Sequence, residues 1–306
     1  MSKYEDNYRN LLLHVQNHGA KTVVRNGCTM RLLNQVLTAD LQDGFPMLTG
    51  RRLPWDGIKG ELLAFIKGAS KLETFIKLGC NFWTANQKDA EAKGIVEEGR
   101  LGPIYGVQWR QFSASDRYAQ RLPVDQLQRL IDGLCADPES RHHMVTAWHP
   151  DELEDMCLPP CHFAFQCHTE ALYAYNDADG LHIKGYKLHT TVFMRSADMV
   201  LGVPCDMASY ALLTHLLALM VNMKPGTVTL MMSDCHIYGQ HLESGHVEQY
   251  LAQPTTELPS LWIKPYVAES VLGRASLDTI ASYLLPEDFW LTGYEPSSNL
   301  KIPMVV

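Results

Sequence analysis

Basic residues are in deficit. The 306-residue chain has 26 Lys and Arg against 34 Asp and Glu, a net charge of −8 with its histidines neutral. Long nucleic acids are held by clustered Lys and Arg that displace counterions, so this balance argues against a general DNA or RNA binder. A few arginines still suffice for one small phosphorylated ligand. Paired cysteine motifs are missing as well. Cysteines stand at 28, 80, 135, 157, 161, 167, 205 and 235, with no C-x-x-C among them, so neither a zinc site nor any other metal is expected. Reduced thiols are expected in an intracellular setting. Long apolar runs are scarce: ALLTHLLALMVNM, 211–223, carries His215 and Asn222 and reads as too short and too polar to span a membrane. MSKYEDNYRN at the start has early charges and no apolar signal core, which points to a cytoplasmic protein, in the host cytoplasm if viral. Neither G-x-G-x-x-G nor G-x-x-x-x-G-K-[ST] occurs in a strand–turn–helix setting, so no such nucleotide fingerprint is expected.

What remains is ordinary globular composition, 46% apolar and 20% charged, in a chain long enough to bury a core without metal or disulfide support. Thirteen histidines make its charge sensitive to pH between about 5 and 8. Residues 4–18 predict an amphipathic helix with Tyr8, Leu11, Leu12 and Val15 on one side and Gly19 as its C-cap. Residues 22–38 predict a strand and its return. Residues 55–68 predict a helix with Leu62, Phe65 and Ile66 inward, and 123–135 a helix with Pro123 near its start. The polar stretch 86–100 is expected to be an exposed insertion or loop. From about 143 to 196 the pattern turns β-rich, with a DADG turn. ASYALLTHLLALMVNM, 208–223, predicts a buried helix, and TVTLMMSD a strand after it. Helices and strands mix without regular βαβ alternation, so the expected class is α+β, in a single domain over 1–306.

Candidate chemistry collects in short motifs. In LPPCH, 158–162, two prolines fix the backbone before Cys161, with His162 adjacent; a rigidly presented thiol suits a covalent nucleophile. In MRSADMVLGVPCDMASY, 194–210, Arg195 and Ser196 suit a phosphate contact. VRNGCT, SRHH, GRLGPIYGVQWR and DCHIYGQH are weak signals one by one.

Together they resemble one family, the thymidylate synthases and the related nucleotide hydroxymethylases. The resemblance runs from about residue 8 to the end. It rests on DGFPMLTGRR (43–52), GELLAFIKG (60–68), LGPIYGVQWR (101–110), DPESR (137–141), LPPCHFAFQ (158–166), RSADMVLGVP (195–204), ASYALLTH (208–215), DCHIYGQH (234–241) and KIPMVV (301–306), in family order. It implies an α+β fold around a large mixed sheet, with two copies packed sheet to sheet in a homodimer and each site borrowing from its partner. It also implies transfer of a one-carbon unit from 5,10-methylenetetrahydrofolate to C5 of a pyrimidine deoxynucleotide. On this resemblance Cys161 is the thiol that adds to C6, which makes C5 nucleophilic. Glu61 is the carboxylate working with ordered water in the proton steps, and Tyr105 and His162 are polar groups near the pyrimidine. Arg25, Arg195, Ser196 and, from the partner chain, Arg141 bind phosphate. The family's usual second arginine beside Arg141 is His142 here, which weakens that contact or makes it pH-dependent. His236 and Tyr238 hold the sugar 3′-hydroxyl. Asp198 pairs with the pterin, with Gly202 nearby, and Trp83, Leu158 and the tail ending in Val306 line the folate side. Asn86 stands where the family usually has a second tryptophan.

Position 206 carries the substrate expectation. Thymidylate synthases read Pro-Phe-Asn-Ile-Ala where this chain has Pro204-Cys205-Asp206-Met207-Ala208. A carboxamide matches the N3–H donor and O4 acceptor of uracil. A protonated Asp matches the N3 acceptor and amino donor of cytosine, an ionised Asp matches N3-protonated cytosine, and an ionised Asp opposes O4 of uracil. Cytosine-specific members of the family also carry Asp at this place. The expected substrate is therefore dCMP and the expected product 5-hydroxymethyl-dCMP, as in bacteriophages that modify their own cytosine. Reductive methylation to 5-methyl-dCMP is the alternative, because PMVV, Trp83 and Leu158 resemble the shielding of a synthase; action on dUMP is a third. An inactive homologue binding its own messenger RNA belongs to another class. Intact Cys161, Glu61 and Asp206 argue against it.

Overall fold

The computed structural model describes residues 3–24, 27–113, 122–176, 180–272 and 276–305. In chain order the elements begin with α1 (Lys3–His18), β1 (Ala20–Val24), β2 (Gly27–Asp40), α2 (Trp55–Ile66), α3 (Leu72–Lys77), α4 (Thr84–Ala92), α5 (Tyr105–Arg110), α6 (Gln126–Ala136) and β3 (Met144–Thr146). Then come β4 (His162–Asn176), β5 (Gly180–Met194), β6 (Ala197–Asp198), α7 (Gly202–Met220), β7 (Lys224–Tyr238), α8 (Gly239–Glu243), α9 (His246–Leu251), β8 (Ser260–Ile263), α10 (Pro265–Val271), α11 (Leu277–Tyr283) and β9 (Phe289–Thr292).

The long strands form one seven-stranded mixed sheet, ordered β1-β2-β7-β5-β4-β3, with β6 also beside β7. This is the expected α+β architecture. β5 and β7 run parallel, and parallel neighbours need a crossover. Here α7 is that crossover, packed on β5 and β7 with α2 on its other side. Where the end of β2 pairs with the start of β7, the sheet's two faces separate by alternation. Leu37 opposite Leu230 and Ala39 opposite Val228 are buried, whereas Val36 opposite Met231 and Thr38 opposite Thr229 point away from the core.

Several expectations need correction. α7 begins at Gly202, not 208, so the Pro204-Cys205-Asp206 run forms its first turns. Pro204 is tolerated there because the first amides of a helix lack intrahelical partners. At 19 residues the helix is long and apolar enough to cross a membrane by length and composition, unlike the 211–223 run alone, but 78% of the apolar window is buried inside the fold. The polar stretch after residue 86 is not all loop: α4 takes it as far as Ala92, with Gln87 and Ala90 buried three residues apart. Gly19 follows α1 without a left-handed φ. Its lack of a side chain matters for another reason: a Cβ there would meet the Val15 carbonyl oxygen at 2.5 Å and the Arg31 nitrogen at 3.0 Å. Asp125, rather than Pro123, starts α6, accepting from the Gln128 amide at 3.0 Å. Of HMVTAWH only 144–146 is strand. Of the DADG motif, 177–179 lie outside the described residues, and Gly180 opens β5.

One buried acid fastens α1 to the rest. Glu5 accepts from the Thr49 amide (2.8 Å) and hydroxyl (2.6 Å) through one oxygen, and from the Gly50 amide (2.9 Å) and Tyr250 hydroxyl (2.8 Å) through the other. A carboxylate alone matches four donors. Glu5→Gln turns one acceptor into a donor facing donors, so it should lower stability by about 2–3 kcal/mol in urea denaturation.

Candidate active site

The thiol of Cys161 lies where the chain enters β4. Arg195, just past the end of β5, clasps the same turn. Its Nη2 donates to the Pro159 carbonyl (2.7 Å), its Nε to the Pro160 carbonyl (2.8 Å), and its backbone amide to the Cys161 carbonyl (2.8 Å). Nη2 also stands 4.0 Å from Sγ. The two prolines leave their carbonyls free to be bridged in this way, and the guanidinium fork fits them. The Tyr105 hydroxyl accepts from the Cys161 amide at 2.7 Å. The turn carrying the nucleophile is thus pinned from both sides.

Burial pushes the thiol up from its usual range; Asp206 and Asp198 push the same way, while Arg195 and a Ser196 hydrogen bond oppose it. Ser196, expected at the phosphate, sits beside the sulfur. His162 is buried; its Nδ1 is 2.8 Å from the Tyr210 hydroxyl, and its Nε2 is 3.6 Å from Asp206 Oδ1. Tyr105 stacks on its ring at 4.3 Å. Burial alone lowers the imidazole to about 3, so it is neutral at physiological pH.

Three carboxyls converge next to this group. Asp206 is pushed well above the carboxylate range, first by burial and then by the charges of Glu61 and Asp198. Glu61 on α2 is raised to about 7 by burial, against the lowering effect of a 2.8 Å hydrogen bond from Trp83 Nε1. The residue is half-buried overall, but its carboxyl end lies inside, against the buried indole. Asp198 on β6 turns Oδ1 to the Val200 and Leu201 amides (2.9 and 3.4 Å). Gly202 lies between two of these acids: a Cβ there would come within 3.5 Å of Asp198 Cβ and 3.6 Å of Asp206 Oδ2. Its hydrogen therefore leaves open a space that any side chain would fill.

β7 contributes His236 and Tyr238, whose rings meet edge to face at 5.1 Å. His236 is paired in register with Asp198, and its Nδ1 is 3.2 Å from Asp234 Oδ1. Leu158 is half-buried against the core. The fold thus gathers Cys161, His162, Tyr105, Glu61, Trp83, Arg195, Ser196, Asp198, Gly202, Asp206, His236 and Tyr238 around adjoining ends of β4, β6, β7, α2 and α7. Arg141 is exposed before β3, and among the described residues no hydrogen bond or ion pair joins its side chain to this group. Arg25 and Val306 lie outside the described residues. Just before that end, the Pro303 carbonyl is 2.8 Å from His241 Nε2.

Two further residues belong here that sequence reasoning passed over. Tyr210 holds the far side of His162. Arg51, buried, donates to the Val200 carbonyl and so secures the loop leading into α7. Both stand inside motifs already quoted, DGFPMLTGRR and ASYALLTH. The i, i+4 spacing of Asp206 and Tyr210 becomes readable only once the helix is known to start at 202.

The chain as a whole is similar to known proteins. The family model described as thymidylate synthase matches residues 6–306. Thymidylate synthase 1/2 of Encephalitozoon cuniculi (strain GB-M1) is 35% identical over 309 residues, covering 98% of this chain and 97% of that one. A probable thymidylate synthase of Escherichia phage T5 is 35% identical over 283 residues, 90% of each chain.

The raised Glu61 carries a cost in stability. It titrates near 7 in the fold against 4.5 for an unperturbed carboxyl. The unfolded chain loses this proton first, so the group opposes folding as pH climbs past about 4.5, and in full above about pH 7. Glu61→Gln should therefore raise the Tm at about pH 8 and leave it nearly unchanged at about pH 4, read by calorimetry. Equal shifts at both values would contradict burial as the cause.

Proposed function

Because this chain belongs to the thymidylate synthase family, and so transfers a one-carbon unit to C5 of a pyrimidine nucleotide, we propose that its nucleotide is dCMP and its product 5-hydroxymethyl-dCMP. The observation that carries the reading is Asp206, an acid raised first by burial of its carboxyl and then by two neighbouring carboxyls, at the place where the family's uracil readers have Asn.

A neutral carboxylic acid donates through one oxygen and accepts through the other. It can give its proton to cytosine N3 and accept from the amino group. Proton transfer to N3 converts the pair into carboxylate and cytosinium, which keeps both hydrogen bonds and makes C6 more electrophilic. Uracil offers no comparable refuge for the proton, so its pairing depends wholly on Asp206 staying protonated. As pH rises through the Asp206 titration, pairing with uracil is lost first. The dCMP:dUMP ratio of kcat/KM should therefore climb with pH.

The remaining residues divide the work. Cys161 gives its proton to solvent water and adds its sulfur to C6 as the thiolate, with Arg195 Nη2 beside that sulfur. Glu61, titrating near neutrality, suits proton exchange at the base through water. His236 and Tyr238 suit the sugar 3′-hydroxyl. The 5,10-methylenetetrahydrofolate used by this family supplies the one-carbon unit and, in methylating members, a hydride. The residues present fit it: the opening at Gly202 leaves room, Asp198 Oδ2 is left for an N–H edge, and Trp83 and Leu158 give apolar walls. Asn86, half-buried on α4 near Trp83, supports entry of water and hence the hydroxymethyl outcome. The shielding by Trp83, 5% exposed, and by a tail tied to His241 supports a second reading, reduction to 5-methyl-dCMP.

A single catalytic domain over 1–306 acting as a homodimer completes the proposal. The outward apolar pair Val36 and Met231, 56% and 43% exposed, supports sheet-to-sheet pairing. The exposed position of Arg141 supports its donation to a second copy's phosphate subsite, where His142 would add pH dependence.

Mass spectrometry of the product separates the readings, since the hydroxymethyl and methyl products differ by one oxygen and only the latter releases dihydrofolate. Asp206→Asn should move the dCMP:dUMP ratio toward dUMP by at least about a hundredfold and abolish its rise with pH. Unchanged selectivity would remove Asp206 as the reader of the base.

A further inference from the structure

Tyr210 has no part in the roles above, yet its position is specific. It follows Asp206 by one helical turn on α7, is 2% exposed, and its hydroxyl lies 2.8 Å from His162 Nδ1. The opposite edge of that imidazole, Nε2, is 3.6 Å from Asp206 Oδ1. His162 thus lies between two residues of one helix, hydrogen-bonded to the tyrosine and facing the acid at a distance just beyond a hydrogen bond.

A neutral imidazole carries a single N–H, and two placements exist. If Nδ1–H donates to the tyrosine oxygen, the tyrosine proton has no acceptor among the described residues, and the bare Nε2 faces the acid that is meant to read the base. If the tyrosine O–H donates to Nδ1, the hydroxyl is satisfied and Nε2–H faces Asp206 Oδ1. An unmet donor in a buried site costs about 1–3 kcal/mol, so the second placement wins. The ring has little freedom to turn over, because Tyr105 stacks on it while that residue's own hydroxyl is engaged by the Cys161 amide. Tyr210 is itself wedged against Phe165 (5.6 Å) and Trp109 (6.4 Å).

We infer that Tyr210 fixes His162 as the Nε2–H tautomer and through it sets the polarity of the Asp206 acid, with Oδ1 the acceptor and Oδ2 the atom that carries the proton. Tyr210 is a positioning residue for specificity. This consequence rests on the reading in which Asp206 meets the base. A carboxylic acid free to exchange its O–H between its two oxygens fits both pyrimidine edges, because cytosine and uracil present opposite donor–acceptor order at positions 3 and 4. An acid biased toward one order favours one of them over the other. The tyrosine therefore turns an ambidextrous group into a discriminating one without touching the substrate.

The test combines nitrogen NMR of imidazole-labelled enzyme with dCMP:dUMP ratios of kcat/KM for the wild type, Tyr210→Phe, His162→Gln and the double variant. The expected wild-type spectrum shows His162 protonated on Nε2. Tyr210→Phe should give a mixture of tautomers and a ratio lowered about tenfold. In the His162→Gln background the same change should have no further effect on the ratio, since the two act as one unit. A wild-type His162 protonated on Nδ1 overturns the inference, even if the variant fails to fold. So does an unchanged ratio in Tyr210→Phe, or an equal fall in both backgrounds. If Asp206→Asn leaves selectivity untouched, the nucleotide reading fails instead, and the imidazole spectrum still decides the tautomer.

Discussion

Asp206 and Glu61 share one poorly hydrated space in this protein, and burial holds both carboxyls above the ordinary carboxylate range. Water would stabilise each anion far better than the interior does, and each anion raises the energy of the next. Asp206 stands in the first turns of α7, a mostly buried helix, with its side chain only 17% exposed. α7 is the crossover that makes β5 and β7 parallel neighbours, so sheet and helices cover most of its surface. Its N-terminal dipole favours an anion, but desolvation and two neighbouring acids outweigh it. The result is a proton held where the family usually has an amide. The same burial keeps His162 neutral and the Cys161 thiol protonated. The resting site therefore sets a neutral thiol, a neutral imidazole and a raised Asp206 beside the Arg195 guanidinium.

That arrangement separates what the family shares from what this chain changes. The clasp of Arg195 on the two proline carbonyls, the Tyr105 hydroxyl under the Cys161 amide and the Trp83–Glu61 hydrogen bond all serve addition to a pyrimidine ring, whatever its exocyclic group. On the proposed reading the edge of the base falls to Asp206 and the imidazole beside it, so that one side chain on the first turns of one helix separates two nucleotides.

Much of this was legible in the sequence. The buried faces of α1 and α2, the β-rich middle and the mixed topology follow from periodicity. The motif order pointed to the family and to most of the residues that the fold brings together. The failures have physical reasons. Pro204 reads as a helix breaker, which hid the true start of α7 and with it the Asp206–Tyr210 spacing. The polar face of α4 masks the small apolar contact made by Ala90. For Glu61 the resemblance supplies a role but not an environment; the sequence shows an acid on a helix, and nothing in the local pattern says that an indole nitrogen and a dry pocket await it. Arg51 likewise looks like a surface cation until the loop before α7 is seen to need its carbonyl satisfied.

The central claim is that Asp206 is a protonated acid in the free protein. Infrared difference spectroscopy between the wild type and Asp206→Asn reads this directly, through the carbonyl stretch of a carboxylic acid. A protonated-acid band present at neutral pH and lost only well above the ordinary carboxylate range is the predicted result. A carboxylate already ionised at neutral pH, titrating like an exposed aspartate, would contradict the account.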